Sequence, residues 1–243
     1  MAMANARMIR GAIWRFVSAN ENRGTVKSED KNTNSNETGQ LFLGSRFTSA
    51  MDYARLVHIE RRKGTEIPYM AHLMGVASLV MGEAGHAGFP VTEDMVIAAL
   101  LHDAAEDHGG LPRLKDIEHN FGSNVARMVE GLSDSLTEDP EKKQSWQERK
   151  EAYIERLREE PADVQLISAA DKLYNARAIL EDYREIGPRV WERFKRGRND
   201  QTWYFEELIK VFKLSGVNRI VGELERVVNE LKQISAERCA LIG

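Results

Sequence analysis

Residues 102–107 read His-Asp-Ala-Ala-Glu-Asp, placing one imidazole and three carboxylates within six positions directly after an apolar run. On a helix, positions 102 and 106, 103 and 106, and 103 and 107 are neighbours, so these polar groups gather at one helix end. Carboxylates held this close repel one another and keep their protons to higher pH. A divalent cation would remove the conflict. A second out-of-place group follows residues 164–170, where a largely apolar stretch runs into Asp171, Lys172, Tyr174, Asn175 and Arg177. His72 stands beside the apolar face of a third segment. Together His72, His102, Asp103 and Asp171 offer two nitrogen and two oxygen donors from three helices. Such a set suits manganese, iron or zinc, and the lack of thiolate favours Mn2+ or another oxygen-tolerant ion. Glu106 and Asp107, one turn beyond the His-Asp pair, can orient a water and move its proton without ligating the ion. His58, His86, His108 and His119 are read as hydrogen-bonded structural residues.

A polyanionic substrate also needs cations. Arg61, Arg62 and Lys63 precede the His72 segment, and Lys172 with Arg177 flanks Asp171, so phosphates can be clamped between the two groups. The run Arg193, Lys195, Arg196 and Arg198 reads equally well as a phosphate contact and as solvated surface.

The elements that must position these groups are helical. Phe47, Met51, Ala54 and His58 share one face, and Tyr69, Leu73, Val76 and Val80 share another, closed by the glycines between 82 and 88. Thr92 caps a helix that is apolar on every side over residues 95–101, the mark of a central, buried helix. Val125, Met128, Val129 and Leu132 follow Gly122, and Ser145 with Glu148 forms a capping box for a helix that stops before Pro161. Residues 164–180 form the second mostly apolar helix, capped by Asp163. Pro188 opens a short helical piece, residues 202–214 form another helix, and Ile220, Leu224, Val227, Leu231 and Ile234 make a last stripe. No element is assigned between the end of the central helix and Gly122. No alternating strand pattern is present, so the fold class is all-α.

Three stretches resemble the HD-domain metal-dependent phosphohydrolases, and within them the stand-alone small alarmone hydrolases of the RelA/SpoT homologue family. They are Arg62-Lys63-Gly64-Thr65 with Pro68-Tyr69 and His72, then His102 to Asp107, then Ala170-Asp171-Lys172-Leu173-Tyr174-Asn175-Ala176-Arg177. Trp191-Glu192-Arg193-Phe194 and Trp203-Tyr204 extend the likeness, and Leu73 departs from it, because proline often follows the first metal histidine in that family. The resemblance implies a single helical HD domain that hydrolyses guanosine 3′,5′-bis(diphosphate), as the tetra- or pentaphosphate, at the 3′ position to GDP or GTP and pyrophosphate. It implies manganese on His72, His102, Asp103 and Asp171, water activation by Glu106 and Asp107, and a nucleotide site shaped by Arg62, Lys63, Tyr69, Lys172, Tyr174, Asn175 and Arg177. Two alternatives stand beside it: hydrolysis of another nucleotide such as an adenosine alarmone, and nucleotide binding without catalysis.

The chain of 243 residues carries a net charge of -4, which argues against a nucleic-acid partner, and no apolar run approaches the roughly 20 residues needed to span a bilayer. A single cysteine, Cys239, excludes an internal disulfide and fits a reducing, cytoplasmic setting. Residues 8–17 are interrupted by Arg10 and Arg15 and do not form a signal peptide, and residues 20–40 bury little. The expected organisation is a flexible tail over 1–44, the HD domain over 45–216 and a helical extension over 217–243. The apolar stripe of that extension must be covered by the domain itself or by a second copy of the chain, which would make a homo-oligomer.

Overall fold

The central helix is greasy all round because it is surrounded. In a computed structural model, which describes residues 40–137 and 144–240 (237–240 by backbone alone), α3 (Glu93–Leu101) buries every residue from Met95 to Leu101. Thr92 caps it, its side chain accepting from the Met95 amide. Around α3 stand α1 (Ser45–Val57), α2 (Tyr69–Gly82), α6 (Ser123–Leu132) and the 25-residue α8 (Ala162–Ile186). These are the elements the apolar periodicity marks out, and the capping box of Ser145 and Glu148 opens α7 (Trp146–Glu159) as its sequence signature requires. A 3-10 stretch (Gly187–Arg193), with Pro188 in its first turn, then leads to α9 (Arg198–Phe212) and α10 (Asn218–Ala240). The fold is all-α, and among the described residues the only strand-like pairing is a single bridge between Arg61 and Pro68. No described helix is long and apolar enough to cross a membrane.

Four expectations need correction. The polar cluster does not continue the central helix: α3 ends at Leu101, His102 and Asp103 form a turn, and α4 (Ala104–Asp107) is a separate single turn. A further helix, α5 (Gly110–Phe121), fills the stretch left unassigned. Gly109, at positive φ, breaks the chain before it, Gly110, also at positive φ, opens it, and Pro112 sits in its first turn, where its missing N–H costs nothing. The cap of α8 is Pro161 rather than Asp163, and the helix runs on to Ile186. Leu41 and Leu43, placed in the expected tail, pack against the core, and the Gly44 amide donates to Glu93 at 2.6 Å. The rest of that tail and the expectation that residues 8–17 are not a signal peptide, over residues 1–39, lie outside the described residues, as do 138–143 and 241–243.

The described residues form one unit, and α10 belongs to it. Ile220, Val221, Leu224, Val228 and Leu231 are buried, with α10 lying along α8 and α9. The chain itself therefore covers most of the stripe.

Candidate metal centre and substrate cleft

α2, the turn after α3, and α8 meet where the apolar faces of all three end in polar residues. His72 comes from the first turn of α2, His102 and Asp103 from the turn, and Asp171 from the middle of α8. His72 Nε2 lies 3.2 Å from His102 Nε2, 3.5 Å from Asp103 Oδ2 and 3.4 Å from Asp171 Oδ1. His102 Nε2 lies 2.9 Å from Asp103 Oδ2 and 3.7 Å from Asp171 Oδ1. Donors about 2.1 Å from a shared ion, at octahedral or tetrahedral angles, stand about 3.0–3.5 Å apart. His72, His102 and Asp103 each bring a donor atom within 4.8 Å of the other two, a spacing that suits a divalent cation, and Asp171 stands near both imidazoles.

Two further observations support that fit. His102 Nδ1 faces the Ala99 carbonyl at 2.8 Å, which fixes that nitrogen as the proton-bearing one and turns the Nε2 lone pair toward the other three residues. Burial alone would lower the His102 pKa, yet Asp103 and then Asp171 outweigh it and hold a proton on the ring well above its usual range. A centre that stores a proton on an imidazole to balance its carboxylates is short of positive charge, which an ion supplies. His72, by contrast, is kept neutral by burial.

The surrounding residues hold the donors in place. The Tyr69 hydroxyl donates to Asp103 Oδ2 at 2.6 Å, and the Asn175 amide donates to Asp171 Oδ1 at 2.6 Å while accepting from Arg62 at 2.8 Å. The Tyr174 ring packs against His72, with centroids 5.0 Å apart, and carries the Arg62 guanidinium over its face. Gly75 makes room for that ring, since a Cβ there would stand 2.1 Å from Tyr174 Cε2. Lys172 pairs with Asp171.

Glu106 and Asp107 sit on α4 with separated acidities. Burial, and then the Asp134 charge, pushes Glu106 up to about 8. Protein packed around Asp107, and then the Asp103 charge, raises it to about 6, although Asp107 is the more exposed of the two. Asp134 is held well below the usual carboxylate range because Lys150, with Arg149, outweighs its burial. Its amide donates to Glu106 Oε2 at 2.9 Å.

Beside the centre opens a cleft of about 370 Å³, within the size range of small-molecule sites. Arg62, Lys63, Lys150, Lys172, Lys195 and Arg196 line it with Asn175, Trp146, Phe194 and Tyr204, and among the described residues no carboxylate does. Lys150 lies over the Tyr204 ring at 4.8 Å and Arg196 over Trp146 at 5.9 Å. Of the nucleotide residues expected, Arg62, Lys63, Lys172 and Asn175 reach the cleft, while Tyr69 and Tyr174 stand against the metal donors. Arg177 does neither, because its side chain pairs with Glu223 of α10. The sequence reading missed Asp134, Trp146 and Lys150. Asp134 lies in a loop without periodicity, and Lys150 stands among charges that look like a solvated helix face.

A model of the HD domain family matches residues 50–200. The chain belongs to the HD domain family. It is 35% identical over 178 residues to the human guanosine-3′,5′-bis(diphosphate) 3′-pyrophosphohydrolase MESH1, covering 72% of this chain and 87% of that one. The Drosophila melanogaster MESH1 is 30% identical over 192 residues, with coverage of 78% and 94%. A solved structure of a metazoan orthologue of SpoT, described as hydrolysing ppGpp, superposes with a TM-score of 0.61 at 26% identity, over 78% of this HD protein and 97% of the other chain.

Proposed function

We propose that this HD protein is a guanosine 3′,5′-bis(diphosphate) 3′-pyrophosphohydrolase working with manganese in the cytoplasm. One observation carries the reading: a chain of net charge -4 builds a cleft that, among the described residues, is lined by six cationic side chains and no carboxylate, beside a candidate metal centre. Charge inverted this way selects a ligand with several phosphates. The names of the relatives at 30–35% identity supply the nucleotide.

When bound to His72, His102, Asp103 and Asp171, the ion supplies Lewis-acid chemistry to water and phosphoryl oxygens. The side chains do the rest. Arg62, Lys63, Lys150, Lys172, Lys195 and Arg196 hold the phosphates, and Tyr69 and Asn175 keep the two aspartates oriented. Asp107, ionised at neutral pH, accepts the proton of the attacking water. Glu106, still protonated there, donates to the ribose 3′ oxygen as its bond to phosphorus breaks. Two carboxyl groups with pKa values pushed apart are suited to this division of labour.

The test is hydrolysis of a panel of guanosine and adenosine 3′-pyrophosphates with added manganese and product identification. Pyrophosphate with GDP or GTP is expected, with no turnover in excess chelator. Turnover of adenosine substrates alone, or full activity in chelator, would overturn the assignment.

A further inference from the structure

A second cluster of donors lies outside the four-residue centre. His58 follows the last turn of α1, with its amide donating to the Ala54 carbonyl and its ring fully buried. His108 follows the single turn of α4. Both rings aim a nitrogen at one carboxylate oxygen: His58 Nδ1 is 2.9 Å and His108 Nε2 3.1 Å from Glu60 Oε1. The rings stand edge to face with centroids 4.6 Å apart, and one donor atom from each of the three residues falls within 4.8 Å of the others. Two buried atoms of the cluster, His58 Nε2 and Glu60 Oε2, have no hydrogen-bond partner among the described residues.

We propose that His58, Glu60 and His108 form a second divalent-cation site of the zinc type, separate from the centre built on His72, His102, Asp103 and Asp171. Two imidazoles and one carboxylate are the protein ligands of open zinc sites, with water completing the shell. The Glu60 and His108 side chains are 36% and 31% exposed, so the ion has a way in and water has a way to it. The protonation states suit it. Burial lowers the His58 pKa and keeps the ring neutral, while the His58 and His108 contacts overcome burial and keep Glu60 ionised. Without an ion the arrangement spends two imidazole N–H groups on one oxygen and leaves the buried Oε2 unpaired, which is costly.

An ion here ties the end of α1, the segment leading into Arg62 and Lys63, and the turn after α4. The His58 ring also stacks on Tyr69, with centroids 5.0 Å apart and planes at 10°, and Tyr69 holds Asp103. The second site thus braces the first from behind and holds the base of the loop that brings two cations to the cleft.

The test is metal content. Full-length protein is loaded with zinc, freed of unbound ion by buffer exchange and analysed by elemental mass spectrometry, and the thermal midpoint is recorded with and without zinc. Wild type is expected to hold two equivalents, His108→Ala and Glu60→Gln one each, and Asp103→Ala one. His108 is partly exposed and Glu60→Gln keeps the side-chain shape, so at least one of these variants folds, which circular dichroism checks. One equivalent in wild type, unchanged in His108→Ala and Glu60→Gln and lost in Asp103→Ala, would overturn the proposal.

Discussion

The carboxyl groups of Glu106 and Asp107 owe their separated acidities to what lies next to each of them, so single neutralising changes report on their roles. Glu106→Gln and Asp107→Asn are expected to keep their metal and still bind nucleotide while turning over at least ~100-fold more slowly, the lower end of the range for proton-transfer assistance. Single-turnover pyrophosphate release beside metal analysis reads both; loss of metal in either variant would instead make that residue a ligand. Asp134 supplies an indirect handle. Its negative charge is the second cause of the raised Glu106 pKa, after burial. Asp134→Asn removes that repulsion, so Glu106 gives up its proton at lower pH, and the limb of the pH–rate profile on which protonated Glu106 is lost moves toward acid. A profile that stays put in Asp134→Asn would take the proton donor's role away from Glu106.

At the scale of elements, the site depends on where helices stop. The turn at His102 and Asp103 lets two adjacent residues both reach the centre, although on a continuous helix successive side chains point about 100° apart. The helix packed most extensively on α8, which carries Asp171, is α10. Leu224, fully buried on it, is expected to cost about 2–5 kcal/mol when changed to alanine, read as a drop in denaturation midpoint. A much smaller loss would mean that α10 adds little to the core. Apolar periodicity revealed α1, α2 and α10 because each buries a recognisable face, while α3 stood out by being apolar on every side. Helix α5 stays unassigned from the sequence although Leu114, Ile117 and Phe121 repeat at steps of 3 and 4, because its opening glycines and proline look like loop. The break after Leu101 was equally hidden, because His-Asp-Ala-Ala-Glu-Asp is compatible with helix continuation and only the packed donors show why it turns. His72, His102, Asp103 and Asp171 stood out as polar residues on buried helices. Asp134 and Lys150 did not, since an acid in a loop and a lysine on a charged helix are ordinary until the fold brings them to Glu106.

For the whole molecule, the consequence of a net charge of -4 around a cationic cleft is a field that is local. Added salt should raise KM for the nucleotide several-fold between low and physiological ionic strength while leaving kcat nearly unchanged, since screening weakens the approach of the phosphates more than the chemistry at a shielded centre. Steady-state kinetics across a potassium chloride series measures it, and a fall in kcat with constant KM would contradict it. The same cleft also governs what happens after the bond is cut. A cleft lined by six cations cannot distinguish arriving phosphate from departing phosphate, and of the two products pyrophosphate carries the denser charge. Inorganic pyrophosphate should therefore compete with the nucleotide and leave slowly, so that the first turnover outpaces those that follow. In a cell, the rate of such an enzyme would be set in part by whatever pyrophosphatase keeps that product scarce.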